Sequence, residues 1–170
     1  LRSDPGHATE FAGLSLKFLR TCRELGIRVT GEEQMADALR GVLRQNFANG
    51  FSSSGKGICK AFDLASRRAI NTDMPWWSLP ETIRAAMEAR EVAGPDEKDG
   101  LAEIARLCSN AFMEYFVRPD RGLMANQTIN AAGEPIATIP ATPDADPGYH
   151  TGLSIIDALH LLECCLQSTP

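Results

Sequence analysis

The chain has 170 residues, 44% of them hydrophobic and 23% charged, which is enough apolar material to bury a core and too much for a disordered segment. A formal net charge of -5 argues against a nucleic-acid partner, since phosphate binding draws on clustered Lys and Arg. No apolar run is long enough to span a bilayer, and LRSDPGHATE lacks the basic start and apolar centre of a secretory signal, so the expected location is cytoplasmic with no membrane partner.

Asp4 followed by Pro5 predicts the start of the first helix, because Asp can accept the free N–H groups of the first turn and Pro at the first helical position gives up no hydrogen bond. Leu1 is not a start methionine, and the chain opens directly on this corner, so it reads as part of something longer. Phe11, Leu14, Phe18, Leu19, Cys22 and Leu25 recur at helical steps and predict one buried face, ended by Gly26. Thr30, with Glu33 three residues on, predicts a capping box for a second helix striped by Met35, Leu39, Val42, Leu43 and Phe47. Residues 49–76 lose the helical period and predict a loop or short β-hairpin.

A third helix is expected from Ser78 as cap, with Glu81 at the capping-box position and Ile83, Ala86 and Met87 inward. A polar turn at 94–100 opens the fourth, whose Ile104, Leu107, Cys108, Ala111, Phe112, Tyr115 and Phe116 form the clearest stripe before Pro119 closes it. A second irregular stretch follows, with AAGEP as the tip of a second hairpin. The last helix, about 152–167, turns Leu153, Ile156, Leu159, Leu162, Cys165 and Leu166 inward. Five cysteines, an odd number with no C-x-x-C pair and no histidine at zinc spacing, read as reduced thiols; Cys22, Cys108 and Cys165 sit in apolar stripes.

The order is helix, helix, hairpin, twice over, then a helix. Asp4 in DPGH, Asp73 in DMPWW and Asp146 in DPGYH mark equivalent corners, 69 and 73 residues apart. A helical hairpin cannot bury its own stripe, so such units stack or close into a ring. Side-by-side packing would bring His7, residues 76–81 and His150 to one surface.

His7 and Glu10 are neighbours on one helical face, where a carboxylate can orient an imidazole. With His150 they offer acid and base groups that work near neutral pH. Trp76 and Trp77, the only tryptophans, sit beside the middle corner, where an indole face could stack on a sugar ring or close the core. His160 lies far from its helix start and reads as structural or exposed. The GKG at 55–57 lacks the spacing of a phosphate loop.

DPGHATEFAGLSLKFL, NGF, WWSLPETIRAAM, FMEYFVRPDRGLMANQTINAAGEP and YHTGLSIIDALHLLEC, in this order, resemble the N-acylglucosamine 2-epimerase family, which includes cellobiose 2-epimerases and mannose isomerases. The resemblance implies an all-α fold, an (α/α)6 toroid of which this chain supplies about half, with short β-hairpins between helix pairs. It implies a single domain over residues 1–170, corresponding to the C-terminal half of the ring. It further implies proton transfer at C2 of a reducing sugar, with no cofactor and no metal. His7 and His150 are similar to the family's acid and base, Glu10 to the carboxylate after the first histidine, and Trp76, Trp77 and Glu81 to residues lining the sugar cavity. Where relatives often carry Lys before the tryptophans, this chain has Asp73 and Met74, and no basic residue closely follows His150. An open half-ring exposes apolar faces, which predicts a homodimer or pairing with the missing N-terminal half.

Two other readings fit the residues. A six-hairpin glycoside hydrolase would use two carboxylates from Glu10, Glu81 and Asp146. A non-catalytic sugar-binding helical module would keep the tryptophans and bind without turnover.

Overall fold

Asp4 caps the first helix as its residue type dictates: its side chain accepts from the backbone N–H of His7, and Pro5 occupies the first turn of α1 (Pro5–Glu24). This is a computed structural model, and it describes residues 1–121, 124–136 and 147–167. Gly26, at a φ of 70°, ends the first helical segment in the left-handed conformation that glycine adopts at no cost. The second helix, α2 (Glu32–Gly50), starts differently from the predicted capping box. Gly31 is its cap, in left-handed geometry and with no side-chain bond, and neighbouring Glu32 is drawn to Arg23 of α1 at 2.7 Å.

The irregular stretch that follows holds β2 (Ala61–Asp63) and β3 (Arg68–Asn71), which pair antiparallel and extend to β1 (Arg2–Ser3) in one small sheet with a bulge at Ala61 and Phe62. After β4 (Met74–Pro75) comes α3 (Ser78–Glu91). Here too the expected capping box is absent. Trp77 is the cap residue, Ser78 Oγ donates back to the carbonyl of Pro75, and Glu81 turns inward to meet Arg84 and His150.

Helix α4 (Pro95–Ala111) begins at Pro95, so the acidic segment after Gly94 is its first turn. Its stripe continues through one π turn at Phe112–Phe116, and β5 (Val117–Arg118) ends it two residues before Pro119. Strand β5 pairs with β6 (Met124–Ala125), and β4 pairs with β7 (Thr128–Ile129). Past β7, the backbone of Asn130 meets that of Glu134 around Gly133, forming the AAGEP hairpin tip. A second π turn, Pro147–Leu153, leads into α5 (Ser154–Gln167).

Contacts between helices fix their arrangement. Thr9 meets Thr82, Gly13 meets Ala85 and Arg20 meets Glu88, a register that advances in the same direction on both helices, so α1 and α3 run parallel. Glu81 with His150, Arg84 with Asp157 and Arg90 with Cys165 place α5 parallel on the other flank of α3. Helices α2 and α4 pack behind α1 and α3. The result is part of an (α/α)6 toroid, with α1, α3 and α5 as the inner row.

Burial departs from the sequence pattern at both flanks of that row. Leu19 and Cys22 of α1 are buried, but Phe11, Leu14, Phe18 and Leu25 are exposed; in their place Thr9, Ala12, Gly13 and Leu16 are buried, with Thr9 and Gly13 against α3. On α5 the expected inward residues Ile156, Leu159, Leu162 and Leu166, with Leu153 just before it, are exposed, while Ser154, Ala158 and Leu161 are buried. On α1 the cause is its close approach to α3: at Gly13 an added Cβ would lie 3.0 Å from the Cα of Ala85, so small residues sit in that interface. On α5 the exposed residues lie on the side that no other helix covers among the described residues. Cys22, Cys59 and Cys108 are buried and form no disulfide. His160 is exposed. Among the described residues no helix is long and apolar enough to cross a membrane.

Candidate active site

The first turns of α1 and α3 and the π turn before α5 meet at one end of the inner row. The imidazole of His7 lies 4.6 Å from the indole of Trp77, and that of His150 lies 5.5 Å from the same indole. Trp76 stands edge-on to His150 at 6.2 Å and Tyr149 at 4.6 Å. Trp77 is buried, a wedge against both histidines, and Lys60 Nζ lies 5.1 Å from its ring centre. This packing requires the glycine of DPGH: a Cβ on Gly6 would sit 2.9 Å from Cβ of Ser78 and 3.0 Å from the Trp77 ring.

Each imidazole carries a carboxylate on Nδ1. Asp4 Oδ2 is 2.8 Å from His7 Nδ1 and also accepts from Lys60 Nζ at 2.9 Å. Burial pushes the Asp4 carboxyl up, but the hydrogen bonds from Lys60 and His7 outweigh it and hold Asp4 below the ordinary carboxylate range. His150 Nδ1 lies 3.0 Å from Oε1 of Glu81 and 3.9 Å from Oε1 of Glu10. The expected pairing of Glu10 with His7 is therefore corrected: Asp4 holds His7, and Glu10 faces His150. Helical side chains lean toward the N-terminus, which carries His7 back onto its own cap residue.

Glu81 is fully buried, and its other oxygen, Oε2, accepts from Nη2 of Arg84. Burial drives its carboxyl upward, opposed by Arg84 and by His150, with Glu10 adding to the rise. Arg84 also faces Asp157 Oδ2 at 3.8 Å, and Asp157 takes Lys17 Nζ at 2.7 Å on both oxygens. The chain of charges Lys17, Asp157, Arg84 and Glu81, ending on the His150 imidazole, thus links α1, α5 and α3.

Glu10, Glu81 and His150 each present one ligand-type atom within 4.8 Å of the others. A guanidinium already neutralises Glu81, so the donor set is better matched to a shared proton than to a divalent ion. As a hydrolase pair, Glu10 and Glu81 converge on one imidazole instead of flanking open space, and Asp146 lies outside the described residues.

Against the two tryptophans lies a cavity of about 270 Å³, lined by Lys60, Asn71, Asp73, Trp76, Trp77 and Gln127 and by neither histidine. Trp76 is half-buried there with no partner for its indole N–H among the described residues. A second, apolar groove of about 540 Å³ between α3, α4 and α5 lies away from the histidines.

The sequence profile of N-acylglucosamine 2-epimerase (GlcNAc 2-epimerase) matches residues 1–151, nearly nine-tenths of the chain. The chain belongs to the N-acylglucosamine 2-epimerase family. Among solved structures, a D-mannose isomerase superposes with a TM-score of 0.74 at 13% identity, covering 93% of this chain and 37% of that one. A sugar epimerase from a ruminal bacterium superposes with a TM-score of 0.73 at 20% identity, covering 94% of this chain and 38% of that one. The chain thus spans under two-fifths of the length of either structure. A search of curated protein sequences returned no match.

Sequence reasoning brought together His7, Glu10, Trp76, Trp77, Glu81 and His150, and all six meet at this end of the epimerase-family fold. It missed Asp4 as the partner of His7, having read that residue only as a cap. Arg84 was also missed; a charged residue inside IRAAM, three after Glu81, was the available signal.

Proposed function

We propose that this site carries out proton transfer at C2 of a reducing sugar, as an epimerase or aldose-ketose isomerase, and that residues 1–170 form a single domain equivalent to the C-terminal half of the ring. The observation that supports this most is the pair of carboxylate–imidazole dyads, Asp4–His7 and Glu81–His150, packed against one indole. A carboxylate on Nδ1 selects the tautomer with its proton there and leaves Nε2 free to take a proton.

In the open-chain aldose, His150 removes the C2 proton and the electron pair moves onto the C1 carbonyl oxygen, giving an enediolate. Glu81 and Glu10 compensate the charge that His150 acquires. For the return step His7 holds a proton on each ring nitrogen, its charge met by Asp4, and gives up the one on Nε2. Delivery to the opposite face of C2 re-forms the C1 carbonyl and gives the epimer; delivery to C1, with the O2 proton passing to O1, gives the ketose. Trp76, at the edge of the 270 Å³ cavity, offers the sugar an indole face. Trp77 spaces the two imidazoles.

Proton NMR in D2O tests the reading. The 170-residue chain is incubated with glucose, mannose, N-acetylglucosamine, N-acetylmannosamine and cellobiose, and loss of the C2 proton signal is followed. The expected result is exchange with one sugar class, abolished by His150→Ala and by His7→Ala. A folded chain that exchanges none of them is not by itself an epimerase; exchange that survives both substitutions would remove the histidines from the mechanism.

A further inference from the structure

We infer that Arg84 is a positioning residue that keeps Nε2 of His150 free of a proton, by holding Glu81 as an already compensated carboxylate. This deepens the proton-transfer reading and rests on it for its catalytic consequence, though not for its structural one.

The two oxygens of Glu81 are divided: Oε2 accepts from Arg84 and Oε1 faces His150 Nδ1 at 3.0 Å. Glu81 is fully buried and Arg84 nearly so, hence neither charge is shared with solvent. The charged and titratable groups facing this pair come from the two flanking inner helices: Glu10 and Lys17 from α1, Asp157 from α5, and His150 from the turn before it. Lys17 is occupied by Asp157, which leaves Arg84 as the cation on Glu81.

Proton counting gives the consequence. With Arg84 present, an anionic Glu81 accepts from Nδ1–H of a neutral imidazole, and Nε2 is bare. Removing the guanidinium leaves a buried carboxylate short of one positive charge, and the cluster takes up a proton to replace it. If that proton goes to His150, the imidazole becomes a cation with Nε2 protonated. If it goes to Glu81, the carboxyl becomes a donor to Nδ1, and the neutral imidazole must carry its own proton on Nε2. Both routes cap the nitrogen that would act as base.

The test reads imidazole ¹⁵N signals of the histidine-labelled 170-residue chain at pH 7. The chain has three histidines, and the signals lost in His150→Gln identify this one. The expected wild-type pattern is protonated Nδ1 and bare Nε2; Arg84→Gln should protonate Nε2, and Arg84→Lys, which keeps the charge, should restore the bare form. A wild type with Nε2 already protonated, or an Arg84→Gln chain that keeps it bare, overturns the inference. Should Arg84→Gln not fold, the Arg84→Gln/Asp157→Asn double variant also removes the anion that neutralises Lys17, so the cluster keeps its charge count and Nε2 must stay bare; a capped Nε2 there overturns the inference. In the sugar-exchange assay Arg84→Gln should lose about 10⁴-fold, the size of the loss when a catalytic imidazole is held in the wrong tautomer. Absence of wild-type exchange would sink the proposed function while leaving the ¹⁵N pattern to decide the role of Arg84.

Discussion

Helices α3 and α5 stand side by side in the inner row, yet the more polar of the two is the more deeply buried. Every residue from Ser78 to Ala89 of α3 is buried, including Glu81, Thr82, Arg84 and Glu88. The sequence of α5, SIIDALHLLECCLQ, is far more apolar and buries three residues. Neighbours make the difference. Helix α3 is covered by α1, α4 and α5, whereas α5 lies against α3 with its far side open among the described residues. Burial of charge on α3 is sustainable because each charge meets a partner from a flanking helix: Arg20 for Glu88, Asp157 for Arg84, His150 for Glu81.

The largest effect should come from breaking such a partnership. Glu88 receives Nε and Nη2 of Arg20, each at 2.9 Å, in a two-pronged pair that ties α1 to α3. Glu88→Ala leaves a mostly buried guanidinium with Glu24 alone, a loss of about 3–5 kcal/mol in urea unfolding. A loss below about 1 kcal/mol would mean that the pair is not what holds these helices in register.

Two glycines sharpen the comparison between packed and open helix faces. Gly13→Ala gains about 1 kcal/mol of helix propensity but drives a methyl to 3.0 Å from the Ala85 backbone, which overpacking offsets at about 1–3 kcal/mol, so the net change is a loss. Gly41→Ala on α2 meets nothing within 4 Å and should stabilise by up to about 1 kcal/mol. Opposite signs are expected in thermal unfolding; equal signs would place the α1–α3 contact elsewhere.

This contrast also explains what could be read in advance. Helix order, the Asp4 cap and the α4 stripe were legible because each depends on local chemistry or on one apolar face. The expected inward faces of α1 and α5 were not: on α1, Gly13 against Ala85 reverses the usual preference for large residues inside, and on α5 the apolar far side has no covering helix among the described residues. The convergence of His7, Trp77 and His150 was legible from repeated corners. Their partners were not: Asp4 serves as both cap and ligand of His7, and Glu81 leaves its capping position because a buried guanidinium and an imidazole compete for it.

Asp4 gives a smaller effect, and one with a pH signature. Its carboxyl is held below the ordinary 3.8, so its ionised form contributes stability that is complete above about pH 4 and is lost as pH falls through the lower folded value. Asn caps a helix about as well as Asp, so Asp4→Asn isolates the charge. The expected loss is under about 1 kcal/mol at pH 7 and shrinks as pH falls below the ordinary carboxylate range. A difference that does not change with pH would assign Asp4 to capping alone.

The smallest change should come from the open side of α5. Leu162 is 45% exposed on the wall of the apolar groove, whereas its neighbour Leu161 is buried. If the far side of α5 faces water in solution, Leu162→Ser removes little contact and stays within about 0.5 kcal/mol of wild type, while Leu161→Ala costs about 2–5 kcal/mol. Dilution separates the alternatives. A cost for Leu162→Ser that is large at high protein concentration and vanishes on dilution means that a second copy covers this face; a large cost at every dilution means that the chain itself covers it. Either result would make α5 resemble α3, and the difference between the two helices would then belong to the isolated fold and not to the protein in solution.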